Sequence, residues 1–434
     1  MPRPRFTRFL VVWAGQLVSG LGTGMTGFAI GIHVFSNSQS AAEFGLVMAA
    51  LFVPGILLRP LGGLLADRYD RRITIILGDL GSAVSVLYLL LSLSAGPVSS
   101  LQIYVAVAVN SGFSALQNPA YKASVTDLLG EEHYARAGGL LQLASAAQHL
   151  LSPLAAGMLL HLSGLRTILL IDIATFFLAV AAVLAIGGTR RAARLHDSYS
   201  PRDSLGVQLT EGFRALRADT KVLTTVLTIS LVTFFVGLLQ TLFAPMVLHL
   251  TDSGTLGLIQ SISASGMVLS SLLVGAFGLP LGPHKSLSYG LLLAGIALAL
   301  MGMRTSLPWI TVSFFAFCCC LPVVNTGAEV AIRKAIPNEL QGRVWGTIGL
   351  LSQLGYITAY LASGLVADIF FEPLLRPDGG LAATLGTVWG TGSGRGIAFM
   401  LFLSGVGLTV TALTKVYRDG PCAAIHTAQG AYQS

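Results

Sequence analysis

The sequence predicts an all-α polytopic membrane protein, with twelve transmembrane helices in two six-helix parallel repeats. Three observations carry this reading. The 434-residue chain is 53% hydrophobic and only 10% charged, with a mean hydropathy of +0.75, a balance soluble domains do not carry. Its apolar runs recur at lengths that cross a bilayer at about 1.5 Å per residue. Its basic residues also sort by side. Of 26 Lys and Arg, only Arg166, Arg304, Arg376 and Arg395 fall on the outer side, as the positive-inside rule requires for twelve spans with both termini inside.

Taken in order, the basic segment Met1 to Arg8 (Arg3, Arg5, Arg8) places the N-terminus in the cytoplasm. Helix 1 is expected from about Phe9 to Phe35 and carries Gln16, Ser19, Thr23 and Thr26. The runs Phe44 to Leu65 and Ile73 to Leu93 supply helices 2 and 3. Helix 4 covers roughly Leu101 to Tyr121, followed by a charged turn with Lys122, Asp127, Glu131, Glu132 and Arg136. Helix 5 runs to about Leu162 and helix 6 from Thr167 to Ile186. The polar stretch Thr189 to Lys221 reads as a linker, in which Leu209, Phe213 and Leu216 share one face of a short interfacial helix. Helices 7 to 12 follow at about Val222–His249, Thr255–Leu279, Ser286–Met303, Pro308–Ile332, Val344–Phe370 and Gly396–Tyr417. The expected division is a bundle at 1–188, a cytoplasmic linker at 189–221, a second bundle at 222–418 and a cytoplasmic tail at 419–434.

An internal repeat supports the two halves. A shift of 207 residues superposes Asn118 on Asn325, Glu132 on Glu339, Arg136 on Arg343, Ser145 on Ser352 and Gly157 on Gly364. Each half then has, after its fourth helix, an acid four residues before an arginine, the spacing of a helical ion pair.

Between helices 2 and 3 lies Gly62-Gly63-Leu64-Leu65-Ala66-Asp67-Arg68-Tyr69-Asp70-Arg71-Arg72. Glycines let a helix end approach a neighbour closely, and an acid among arginines can be paired. The pattern on Gly63, Asp67, Arg68, Arg71 and Arg72 resembles the signature loop of the major facilitator superfamily, departing where Asp70 replaces the family's usual glycine. The resemblance implies the major facilitator fold, and it implies that this loop is part of the gate closing the cytoplasmic side. Trp13-Ala-Gly-Gln-Leu-Val-Ser-Gly-Leu-Gly, Asn118-Pro-Ala-Tyr, Glu211-Gly-Phe and the segment from Phe371-Glu-Pro-Leu-Leu to Gly394-Arg-Gly396 resemble the drug:proton antiporter branch with macrolide-efflux and siderophore-export proteins. In helix 5, Gln148, His149, Ser152-Pro153 and Ala155-Ala156-Gly157 resemble, in degenerate form, the Gly-Pro-rich motif of proton antiporters; a packing role fits them equally.

Ionisable groups inside spans are costly, so the few present are candidates for function. Asp79 on helix 3 and Arg59 on helix 2 stand at similar depth on the hairpin and are expected to pair; the alternative is a proton-titrating Asp79. Asp172 on helix 6, with no arginine nearer in sequence than Arg166, is a second proton-coupling candidate; the alternative is a packing role at the helix end. Gln16, Thr23, Asn110, Gln148, Gln240, Asn325 and Gln353 are candidates for a central cavity, with Phe234, Phe235, Phe243, Phe314, Phe315 and Phe317 as possible aromatic wall. Sparse polar groups in apolar surroundings suit amphiphilic compounds rather than sugars or phosphates.

Together with these residues, the resemblance implies a secondary exporter of amphiphilic drugs or metabolites in a bacterial plasma membrane, coupled to proton influx and expected to work as a monomer. Alternatives are a dedicated exporter of one endogenous product, a siderophore, peptide or secondary metabolite, and a receptor that keeps the fold without transporting. The sequence offers no nucleotide-binding loop, no metal-ligand cluster and no nucleophile–base arrangement, so it predicts no enzyme activity, no cofactor or metal and no nucleic-acid partner. Cys318, Cys319 and Cys320 lie within an apolar run and read as packing residues.

Overall fold

The computed structural model describes residues 5–130, 133–186, 220–279, 281–335 and 341–419, and not the side chains of certain helical residues within them, including Asp67 and residues 341–347. The expected interfacial helix at Leu209, Phe213 and Leu216, the loop acids Glu131, Glu132 and Glu339, and the tail beyond residue 419 lie outside the described residues.

Twelve long helices are present among the described residues, and no strand. They are α1 (Arg5–Ser38), α2 (Ala41–Arg68), α3 (Arg71–Ala95), α4 (Ser100–Leu128), α5 (134–163), α6 (165–185), α7 (Thr220–Leu248), α8 (Ser253–Phe277), α9 (Pro283–Met303), α10 (Leu307–Ala335), α11 (Gln341–Val366) and α12 (Arg395–Asp419). Helices α5 and α6 share one trace that leaves helical geometry only at Gly164, whose φ of 77° is a conformation side-chain-bearing residues rarely adopt. Ten stretches are apolar enough to span a bilayer by composition; residues 136–185 count once among them, and α4 is not among them. Gln102, Asn110, Ser111, Gln117 and Asn118 dilute the apolar run of α4.

Local chemistry sets the ends. Ser40 caps α2 by accepting from the Glu43 N–H, and Ser99 forms a capping box with Gln102 at the start of α4. Asp70 caps α3, accepting from the Arg72 N–H at 2.9 Å. The departure from the family pattern therefore has a local physical role: the acid satisfies one of the orphan amide groups that every helix start presents.

The chain forms two compact units. The first comprises residues 1–201 and 251–261, and the second residues 202–250 and 262–434. In the first, glycines allow the closest approaches. A Cβ on Gly62 would strike the Ala115 carbonyl of α4, and one on Gly15 would stand 2.8 Å from the Ala182 Cβ of α6. Gly63, in contrast, faces open space. The close-packing role expected of the Gly-Gly pair therefore falls to Gly62.

Two apolar cores fill the first unit. One gathers Phe9 and Val12 of α1, Ile75 of α3, Val125 of α4 and Val183 of α6. The other gathers Met25 to Val34 of α1, Ala83 to Leu89 of α3, Ile103 to Val107 of α4 and Ile168 to Phe176 of α6. Between them, Ser19, Asp79, Ser82, Asn110, Ser111 and Gln117 make a buried polar layer. In the second unit α7 clasps α11: Ser230 Oγ donates to the Leu351 carbonyl at 3.1 Å and Thr233 Oγ1 to that of Ser352 at 2.6 Å.

Candidate functional site

The polar layer of the first unit is organised by Asp79, which is fully buried. Gln16 Nε2 on α1 donates to its Oδ2 at 2.9 Å and Gln117 Nε2 on α4 donates to its Oδ1 at 2.7 Å. The same Gln117 amide nitrogen lies 2.7 Å from Gln16 Oε1, closing a triangle across three helices. The sequence-based expectation of an Arg59–Asp79 pair is therefore corrected: Arg59 is exposed, and both oxygens of Asp79 are held by amides. Similar depth on a hairpin does not fix azimuth, and each residue turns a side chain by about 100° around the helix.

Gln117 was not among the sequence candidates. It lies seven residues beyond Asn110, hence on the same face of α4, and Thr23 lies seven beyond Gln16 on α1. Since α1 and α4 run in opposite directions, Thr23 and Asn110 both stand about 10 Å from the Gln16–Gln117 contact, toward the same end. Thr23 adjoins the second acid. Asp172 is fully buried beside Thr23, Thr26 and Thr175, yet neither carboxylate oxygen has a hydrogen-bond partner of good geometry among the described residues. The Thr26 hydroxyl is likewise unpartnered, while that of Thr175 donates to the Asp172 main-chain carbonyl at 2.7 Å. Gly22 leaves the space, since a Cβ there would stand 2.7 Å from Asp172 Oδ1.

The remaining candidates separate. Gln148 is half-buried against α1, close to Gly20 and Gly24. Ser152 Oγ donates to the Leu21 carbonyl at 3.0 Å, so the α5 motif serves helix packing; His149 is exposed with its Nδ1 2.8 Å from the Ser145 carbonyl. In the second unit Gln240 is exposed and accepts from the Tyr360 hydroxyl at 2.5 Å, Asn325 is exposed, and Gln353 is half-buried. Phe243 and Phe317 are buried in the core rather than available as wall, with the Phe243 ring tilted against Phe314 at a centroid distance of 4.3 Å. At the α2–α3 turn, Arg71 Nη1 pairs with Asp127 at 3.0 Å and donates to the Ala123 carbonyl of α4 at 2.7 Å. Arg68 is exposed, Arg72 has a buried Nε and Nη2 without a partner among the described residues, and the side chain of Asp67 lies outside them.

A profile of the Major Facilitator Superfamily matches residues 12–359. The chain belongs to that superfamily. Major facilitator proteins similar to it include an uncharacterized MFS-type transporter of Bacillus subtilis, 26% identical over 402 residues that cover 85% of this chain and 89% of that one. Macrolide efflux protein A of Streptococcus pyogenes is 26% identical over 372 residues, covering 83% and 89%. The enterobactin exporter of Shigella boydii is 27% identical over 215 residues, 49% of each chain. Among solved structures, a bacterial homologue of the human lysosomal transporter Spinster superposes with a TM-score of 0.69 at 17% identity, covering 96% of each chain. The nucleoside transporter NupG superposes at 0.68 with 14% identity, covering 94% of this chain and 99% of that one. These likenesses establish the major facilitator fold, and with it a multi-pass membrane transporter that has efflux proteins among its relatives.

Proposed function

We propose that this chain is a secondary exporter of amphiphilic drugs or metabolites, driven by proton influx across a bacterial plasma membrane, with both termini cytoplasmic. The observation that carries the reading is Asp172: a fully buried carboxyl seated against α1 beside Thr23, Thr26 and Thr175, with no hydrogen bond of good geometry among the described residues. An uncompensated charge in that position is costly, so a carboxyl there is suited to carrying a proton and releasing it when the helices part. Asp79, two amides tying it to α1 and α4, is the second coupling candidate. Because α1 touches both acids, its displacement would sense both. The Arg71–Asp127 clasp between the α2–α3 turn and α4, together with Asp67, serves the inner gate.

Accumulation of a dye and a macrolide panel in a pump-deleted bacterium tests this. Cells expressing the chain should accumulate less, and a protonophore should restore accumulation. Asp172→Asn should abolish the proton dependence with the protein still inserted; an unchanged pH profile moves the role to Asp79. Asp67→Asn should impair efflux, and near-normal efflux would remove its gating role.

A second reading is a dedicated exporter of one endogenous product. The similarity to the enterobactin exporter favours it, and it is the reading that remains if no panel compound responds.

A further inference from the structure

The second unit contains one buried base whose hydrogen bonds are unaccounted for. Arg395, at the start of α12, is 4% exposed, and neither Nη1 nor Nη2 has an acceptor among the described residues. The natural counter-ion is at hand but occupied: Glu372 accepts from the Gly394 N–H through Oε2 at 3.2 Å and from the Ile397 N–H through Oε1 at 3.0 Å. Its carboxylate caps the first turn of α12 and offsets the positive charge from a distance, without engaging the guanidinium fork. An arginine in this position presents two parallel N–H pairs in the geometry that matches a two-oxygen anion.

A second unmet donor lies on the same stripe. Trp389 packs its ring on Phe399 and Phe402, with centroids 5.1 and 4.9 Å away. These lie one and two turns along α12 from Arg395, about 6 and 10 Å up the helix, and the Trp389 Nε1 is also buried without an acceptor among the described residues. The surroundings are tightly determined. Gly394 has a φ of 80° and a Cβ there would stand 2.8 Å from His249 Cδ2, so neither its backbone nor its space admits another residue. The turn facing it, Ala367–Phe371, is π-helical, a geometry frequent at functional sites. His249 sits within the field of Glu372, Arg395 and Asp368.

We propose that the Arg395 fork binds a monoanionic oxyanion, a carboxylate or a phosphodiester, at the α11–α12 end of the second unit. One charge is favoured over two, because a single guanidinium faces the anion and repulsion from Glu372 and Asp368 grows with the anion's charge. The site is separate from the acids of the first unit and stands whether or not the chain exports drugs.

Trp389 is a built-in reporter. Full-length protein in phosphatidylcholine nanodiscs, titrated with acetate or dimethyl phosphate at constant ionic strength, should show a saturable change in tryptophan fluorescence. That change should vanish in Trp389→Phe. Arg395→Lys, which keeps the charge but loses the fork, should weaken binding by about tenfold or more. Inorganic phosphate at alkaline pH should bind more weakly than dimethyl phosphate. A response to the soluble probes identifies a free solute anion, and a response confined to discs containing phosphatidylglycerol identifies a lipid headgroup; either supports the site. Should no probe and no lipid give a saturable change, or should Arg395→Gln respond as the parent does, the fork is satisfied by water alone and the proposal is overturned. Trp389→Phe and Arg395→Lys guard against misfolding as an explanation, since each retains the bulk of the original side chain.

Discussion

The first unit buries two carboxylates, Asp79 and Asp172, and the second buries one guanidinium, Arg395, among the described residues. The asymmetry is finer than composition. The shift that superposes the two halves sets Asp79 on Ser286, Gln117 on Val324 and Gln16 on Leu223. Where the first half holds a hydrogen-bonded triangle, the second therefore has two buried residues, a hydroxyl and an isopropyl group, at the matching positions of α9 and α10. One fold has been filled twice with different chemistry. Helix packing requires small residues and matched volumes, which both halves supply; charge handling requires ionisable groups shielded from lipid, and among the described residues the fully buried acids lie in the first half.

Exchanging the matched residues tests this contrast. The largest effect is expected from Val324→Gln, which puts a bulkier amide into a layer where the first half's Asp79 is matched only by the Ser286 hydroxyl. It should cost roughly 2 kcal/mol in chemical denaturation, and a neutral result would mean the second half has hidden acceptors there. Gln117→Val, the reverse exchange, removes the donor shared by Asp79 and Gln16 and should cost about 1–2 kcal/mol. Combined with Asp79→Ser, it should cost less than the sum of the single changes, because the two side chains are in contact, while transport is lost. Simple additivity would break the triangle as a unit. Thr26→Val deletes a buried hydroxyl that makes no hydrogen bond of good geometry among the described residues, and should leave stability within about 1 kcal/mol of the parent or slightly above it. A large loss would show that Thr26 serves Asp172 after all. Smallest of all, Arg59→Gln should change stability by less than about 0.5 kcal/mol and leave any Asp79-dependent pH profile unmoved, since Arg59 is exposed and apart from the triangle.

The sequence was informative where the physics is one-dimensional. Apolar run length and the sorting of basic residues depend on position along the chain, and the twelve helices follow from them; the expected boundary between α5 and α6 falls where Gly164 leaves helical geometry. Both buried acids were visible for the same reason, as ionisable groups within apolar runs. Which neighbour each acid meets was not visible, because partner choice depends on rotation about the helix axis. Arg59 matched Asp79 in depth and missed it in azimuth. Gln117 could have been found from its seven-residue spacing to Asn110, a polar stripe on a helix that is otherwise apolar. Arg395 read as one of four outer-side charges, since a lone arginine beside a glycine-rich segment resembles a solvated loop end; only the folded chain shows that Glu372 is committed to the helix cap.

The turn between α2 and α3 contains two residues, Tyr69 and Asp70, and Asp70 is fixed as the cap of α3. A tether so short spans at most about 7–10 Å, so it has no slack with which to let one helix slide past the other by a turn. The pair must travel as a single lever, its fulcrum at this corner and its load on α4, which Arg71 grips through Asp127 and the Ala123 carbonyl.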